Sequence, residues 1–307
     1  MAPDTRDSDS IFYRFGRGIF LAFLIVTLPT WVALRYHAEI EAWLAGISGY
    51  PVYSEMQEDF RSGSEIVGTL FAEKLQSFYR SDSIFRETST GPERLQTPAA
   101  HWQRPDLERH LTQRFSKAKS RNAQAYLDYI ERYKTLALRE MQRTKIPASV
   151  TLAQGLLEAD AGRGYLAAHA NNHFGVKCML QPGYRSDGTI DRSDFYHHSL
   201  ATDCLQRTDD YRWDHFEVYP SAAESYRRHS LLLQGERYAW MIRQYKIGEM
   251  YPIARKLYGH DRVPYYAAWS VGLKQSGYAT AKNYAELLTL IIETYQLWKI
   301  DYELVLA

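Results

Sequence analysis

Residues 146–157, IPASVTLAQGLL, contain no charged side chain, and the next residue is Glu158. The run begins at Pro147, which suits the first turn of a helix, where a missing N–H costs nothing. Gly162 and Gly164 follow closely and supply the residues at which such a helix ends. Ile146, Val150, Ala153 and Leu157 then share one face as a buried stripe. A helix this apolar needs a core around it, so the segment argues for a mainly helical fold and sets one carboxylate against protein. Desolvation disfavours the charged form of that carboxyl. The negative end of the helix dipole acts in the same direction. Both keep a proton on Glu158 near neutral pH, the state required of a general acid.

The stretch before it, YLDYIERYKTLALREMQRTK, places Tyr126, Ile130, Tyr133 and Leu136 or Ala137 on one face at helical spacing. The chain has 307 residues, enough for one or two domains with a sizeable core. Its 37 basic and 36 acidic residues give a net charge of +1, which argues against a nucleic-acid partner. The 24 tyrosines and 7 tryptophans serve a core or, alternatively, a groove whose rings stack on sugar faces. Two cysteines, Cys178 and Cys204, form no CxxC pair, so no structural zinc is expected. In an oxidising compartment they are able to pair, closing a loop of roughly 26 residues worth about 3–4 kcal/mol. His169, His173, His197 and His198 lack metal-ligand spacing, and no metal or other cofactor is expected.

The N-terminal part has a different character. Between Arg17 and Arg35 no residue is charged, a span long enough for one membrane helix over residues 17–36. Pro29 is tolerated there with a kink, and Trp31 and Tyr36 suit the interface. Arg6, Arg14 and Arg17 precede the segment, whereas Arg35, Glu39 and Glu41 follow it. The expected topology is a single-pass inner-membrane anchor, with residues 1–16 cytoplasmic and the rest periplasmic. A cleaved signal peptide is the alternative; the apolar run is long for one, and no small-residue cleavage site follows. Residues 37–120 read as a helical stalk and linker, with three prolines between 81 and 106. Residues 121–307 read as the catalytic domain.

Four separated motifs carry a family resemblance over about residues 121–301. IPASVTLAQGLLEADAG, NNHFGVK, HFEVYPSAAESYRRHSLLL and YYAAWSVGLKQSGYATAKNYAELLTLIIETY occur in that order. Together they resemble the bacterial cell-wall N-acetylglucosaminidase domain, glycoside hydrolase family 73. The resemblance implies a mainly α (α+β) fold, with a lysozyme-like helical lobe, a small β-hairpin lobe and a groove between them. It implies hydrolysis of the β-1,4 bond after N-acetylglucosamine in peptidoglycan, with Glu158 as general acid. It also implies substrate contacts from Asn172, Phe174, Tyr278 and Tyr284, although Asn171 and Asn172 equally suit a turn. Three residues beside the acid depart from the family pattern: Ala159, Asp160 and Ala161. Asp160 is expected to raise the Glu158 pKa by like-charge repulsion.

Glycosidases generally need a second group. The family draws it from the hairpin lobe, where Thr202–Asp203 falls near the family's Thr-Glu pair. Asp203 is therefore the expected partner, with Asp209 and Asp210 as rivals. The substrate's own 2-acetamido group is a further alternative. The expected function is a membrane-anchored peptidoglycan hydrolase, in contact with glycan strands and with envelope machinery. The alternatives are a degenerate glycan-binding scaffold module and a lytic transglycosylase.

Overall fold

The computed structural model describes residues 98, 101–114, 121–184, 190–209 and 211–304. The expected membrane segment, residues 17–36, and most of the stalk lie outside the described residues. Among the described residues, no helix is long and apolar enough to cross a membrane. The described chain is mainly helical. In order, it runs through α1 (Arg104–Arg114), α2 (Arg121–Thr144), α3 (Ala148–Glu158), α4 (Tyr165–Ala170), β1 (Met179–Leu180), β2 (Phe195–Tyr196), β3 (Asp203–Gln206) and β4 (His215–Val218). There follow α5 (Ala222–Leu233), α6 (Ala239–Gln244), β5 (Met250–Leu257), β6 (His260–Pro264), α7 (Tyr265–Gln275), α8 (Tyr284–Thr294) and a 3-10 turn, Leu297–Tyr302.

Helix α3 is the axis. Every residue from Ala148 to Leu156 is buried, so the helix meets solvent only at its last two residues, Leu157 and Glu158. The stripe expected from Ile146, Val150, Ala153 and Leu157 is thus one sector of an all-round core; of the four, Leu157 is only partly buried. A helix that is apolar on every side belongs inside. Gly155 lets α2 approach closely, because a Cβ there would run into the Tyr129 hydroxyl. The helix ends at Glu158, before the glycines. Asp160 and Ala161 turn the chain with φ of 45° and 54°, and Gly162 continues the left-handed run at 81°.

The start of α3 has no cap of its own, since Pro147 offers no side-chain acceptor. Asp301, fully buried in the C-terminal 3-10 turn, supplies one. Its Oδ1 accepts the Ser149 N–H at 2.8 Å, and its Oδ2 accepts the Ser149 hydroxyl and, at 2.6 Å, that of Tyr265. An anion at a helix N-terminus meets both free N–H groups and the positive end of the dipole.

The folded body begins ahead of the expected boundary at residue 121. Trp102 is buried and donates its indole N–H to the Tyr295 carbonyl at 3.0 Å. Leu107 and Leu111 of α1 join the same core, so this part of the expected linker is structured.

The strands form three separate antiparallel pairs, β1–β2, β3–β4 and β5–β6. The first two lie in the region where a hairpin lobe is expected. They enclose a small satellite cluster of Cys178, Phe195 and Cys204, with Ile190 against it. Cys178 and Cys204 are joined in a disulfide. The β5–β6 hairpin turns at Tyr258–Gly259, both at positive φ (50° and 83°), as a two-residue loop between the paired residues Leu257 and His260 requires.

Removing the Asp301 carboxylate leaves the Ser149 N–H, the Ser149 hydroxyl and the Tyr265 hydroxyl without their acceptor. Asp301→Ala is expected to destabilise the domain by about 3–5 kcal/mol, read as a fall in the urea midpoint. Ser149→Ala is expected to cost only about 1 kcal/mol. Equal midpoints for wild type and Asp301→Ala would remove Asp301 as the anchor of α3.

Candidate active site

Glu158 occupies the last turn of α3, where the buried helix emerges. Its residue surface is open to solvent, yet protein crowds its carboxyl densely enough for desolvation to dominate its titration. Burial raises the Glu158 pKa to about 7, the Tyr284 hydrogen bond opposes the rise, and the charge of Asp209 adds to it.

Tyr284, the first residue of α8, donates its hydroxyl to Glu158 Oε1 at 3.2 Å. The same hydroxyl accepts from Gln154 Nε2 at 3.1 Å. Gln154, one turn before Glu158 on α3 and fully buried, thereby directs the tyrosine proton at the acid. Its role went unread in the sequence, although i,i+4 spacing on one helix was a usable signal. Tyr278 stacks on Tyr284 with ring centroids 5.8 Å apart and lies within electrostatic reach of Glu158. Burial, with the Glu158 charge second, pushes the hydroxyl pKa of Tyr278 well up, and the same order of causes holds for Tyr284. Both phenols therefore stay protonated as donors.

Asn172 and Phe174 do not join this group. Asn172 is buried, and its amide is fully used: Oδ1 accepts the Val176 N–H at 3.0 Å, while Nδ2 donates to the carbonyls of Val176 (2.9 Å) and Glu217 (2.8 Å). It ties the loop after α4 to β4, with both amide hydrogens committed within the chain. Phe174 is buried against His229, with ring centroids 3.9 Å apart, and meets Tyr226 edge-on. His173 is buried as well, and desolvation lowers its pKa to about 4, so the ring is neutral; its Nδ1 and the Tyr129 hydroxyl are hydrogen-bonded at 3.0 Å. Tyr226 in turn donates to Tyr129 at 3.0 Å. The Asn171–Gly175 knot is scaffold behind the acid. Asn171, at φ 50°, closes α4 and donates to the Tyr219 carbonyl at 3.0 Å.

The hairpin carboxylates separate by environment. Asp203 is exposed, and both the Nε and Nη2 of Arg192 donate to its Oδ1, at 2.9 and 2.7 Å. That guanidinium, followed by the Cys204 N–H, pulls its pKa down. The hairpin carboxylate whose charge acts on Glu158 is Asp209, near the tip of β3–β4. Asp209 Oδ2 pairs with Lys177 Nζ at 2.9 Å, and the same ammonium reaches Asp214 Oδ2 at 2.9 Å. Asp210 lies outside the described residues. Asp160, expected to repel Glu158, is instead bound by Arg163 at 2.7 Å and is not among the charges that shift the acid. Tyr265, Tyr266 and Trp269 are all fully buried and form no stacking platform. Among the described residues, no group of three His, Cys, Asp or Glu side chains is placed to hold a metal ion.

The family model described as mannosyl-glycoprotein endo-β-N-acetylglucosaminidase matches residues 134–297, more than half of the chain and the part that holds Gln154, Glu158, Asp209, Tyr278 and Tyr284. The chain is 31% identical over 155 residues to the exo-glucosaminidase LytG of Bacillus subtilis (strain 168), a match covering 50% of this chain and 45% of that relative. The match thus spans less than half of the relative's length. Similar solved structures include the catalytic domain of the autolysin Auto from Listeria monocytogenes, 21% identical, covering 66% of this chain and 99% of that one at a TM-score of 0.37. Another is the glycoside hydrolase domain of Salmonella typhimurium FlgJ, 22% identical, covering 56% of this chain and 88% of that one, also at a TM-score of 0.37. With the family match extending from within α2 past the end of α8, the chain belongs to the endo-β-N-acetylglucosaminidase (glucosaminidase) family.

Proposed function

We propose that the chain is a peptidoglycan hydrolase that cuts the β-1,4 bond after N-acetylglucosamine, with Glu158 as its general acid. The observation that carries this reading is the Glu158 carboxyl itself, reachable, crowded by protein and half-protonated near pH 7. A carboxyl in that state delivers its proton to the glycosidic oxygen as the bond from that oxygen to the anomeric carbon breaks. Water adds to the anomeric carbon, and its proton passes to a base. Asp209 is the base this environment favours, because its charge acts on Glu158 and that of Asp203 does not; each is paired with a cation, Asp209 with Lys177 and Asp203 with Arg192. Tyr284 then keeps the Glu158 carboxyl oriented through the catalytic cycle, with Tyr278 beside it.

The placement of the enzyme is part of the same proposal. Residues 17–36 would anchor it in the inner membrane, with residues 1–16 cytoplasmic and the catalytic domain periplasmic, so that cutting is confined to wall near that membrane and open to use by an envelope-spanning assembly. The Cys178–Cys204 disulfide supports an oxidising compartment.

The test is digestion of purified sacculi. Wild type is expected to release fragments with reducing N-acetylglucosamine ends, whereas anhydro-muramyl ends would assign a lytic transglycosylase instead. The Glu158→Gln variant is expected to lose at least a hundredfold in rate. Equal digestion by the two proteins would remove the enzymatic reading and leave a glycan-binding module.

The pH dependence has a definite sign. The acid works protonated, so the rate falls as pH rises through about 7. Stability follows the same group: its native pKa lies above the unfolded value near 4.3, so its contribution is intact below about pH 4 and is lost as pH rises towards 7. Glu158→Gln, which mimics the protonated form, is expected to melt higher than wild type at pH 8 and alike at pH 4.

Asp209→Asn is expected to slow digestion about tenfold to a hundredfold, and Asp203→Asn less than twofold. The reverse order would return the assignment to Asp203. No loss from either would favour the substrate's acetamido group.

A further inference from the structure

The tip of the β3–β4 hairpin carries two large rings in the open. Tyr211 is 57% exposed and Trp213 is 43% exposed. They lie nearly parallel, with an interplanar angle of 11° and ring centroids 5.1 Å apart, an offset stack. Neither ring belongs to either of the two hydrophobic clusters. Two adjacent exposed rings stacked on a folded tip offer a flat apolar face to a ligand.

The tip is held in shape. Tyr211 donates its N–H to Asp214 Oδ2 at 3.0 Å, and Asp214 returns its own N–H to the Tyr211 carbonyl at 3.2 Å. Lys177 ties Asp214 to Asp209. At the base of the tip, the Arg207 guanidinium sits 4.1 Å over the Tyr165 ring, at the start of α4, just beyond the loop that follows Glu158. The pair is thus pre-organised, and two-torsion aromatic side chains lose little entropy on contact. Asp209, two residues before Tyr211, belongs to the same tip, and its charge is felt at Glu158.

We propose that Tyr211 and Trp213 form a glycan subsite, a stacking platform for the apolar face of a pyranose ring of the same strand, outside the two sugars joined by the bond at Glu158. This rests on the reading of the site as glycan-directed. Sugar rings present C–H groups on one face, and burying that face on an aromatic ring gains area without requiring any new polar partner. A platform that holds a sugar beyond the two at the cut bond favours long strands over short fragments.

The experiment measures binding rather than turnover, in the Glu158→Gln background, by calorimetry with an N-acetylglucosamine hexasaccharide and with the disaccharide. Replacing both rings (Tyr211→Ala with Trp213→Ala) is expected to weaken hexasaccharide binding about tenfold, roughly 1.4 kcal/mol. Disaccharide affinity is expected to stay within twofold. The milder pair Tyr211→Phe and Trp213→Phe is expected to retain most of the hexasaccharide affinity, which separates stacking from a folding defect. Unchanged hexasaccharide affinity in the double-alanine protein overturns the platform. So does equal loss for both sugars, absence of hexasaccharide binding in the parent, or a change only in self-association by sedimentation. Ring-dependent hexasaccharide binding in a wild-type chain that cuts no sacculi would sink the hydrolase reading and leave the platform standing.

Discussion

The contact between Asp301 and the first turn of α3 sets the frame for everything else. A helix that is buried on all sides cannot send its unpaired N–H groups to water, so the fold must bring an acceptor to them. The acceptor comes from the last described turn of the chain, 152 residues away, and the same carboxylate also receives the Tyr265 hydroxyl from α7. One side chain therefore joins α3, α7 and the C-terminal turn, and α8 reaches the same axis through the Tyr284–Gln154 bond. The position of the candidate acid at the far end of α3 is a consequence of how its near end is held.

The two ends of that helix treat a carboxylate in opposite ways. At the N-terminus, Asp301 meets N–H groups and the positive end of the dipole. Burial still raises its pKa to about 6, against those hydrogen bonds. At the C-terminus, Glu158 meets the negative end of the dipole and the charge of Asp209, with one tyrosine hydroxyl as its donor. The first environment builds the fold, and the second stores an acid that is easily kept protonated. Both groups bind a proton more readily in the folded chain than in the unfolded one. Each therefore opposes folding as pH rises, a cost accepted at Glu158 because a fully solvated glutamate would be ionised at neutral pH.

What the sequence revealed follows from how local each signal is. The uncharged run ending in Glu158 announced a buried helix with an acid at its end, because both facts sit within one segment. The stripe on that helix was too narrow a reading, since periodicity cannot distinguish one buried face from burial all round when the polar positions are Ser149, Thr151 and Gln154. Asn172 and Phe174 sit in a family motif that reads alike for substrate contact and for scaffold, and the partners that bury them come from β4 and α5, which the sequence does not bring near. Asp301 carried no legible role, as its partner lies 152 residues distant, and Gln154 showed only its i,i+4 spacing from Glu158, its bonded partner being 130 residues away. The β5–β6 hairpin gave no strong cue either, because its turn is Tyr–Gly rather than the Asn–Gly or Asp–Gly pair that marks such loops.

The hairpin lobe is held by different means from the helical one. Its own apolar cluster, Cys178, Phe195 and Cys204 with Ile190, is too small to fix two short strand pairs by burial. The disulfide binds the segment after Lys177 to β3, and a buried ionic knot completes the attachment. In that knot Glu217 of β4 accepts from Arg228 of α5 at 3.1 Å, from the Tyr219 hydroxyl at 2.6 Å and from the His198 N–H at 2.9 Å. The acceptor is fully buried and the guanidinium nearly so, which makes the bonds directional and intolerant of slippage. A lobe fixed by packing alone would slide over small distances. One fixed by a covalent link and charge-assisted bonds holds Asp209 and the Tyr211–Trp213 pair in register with an acid mounted on a different element.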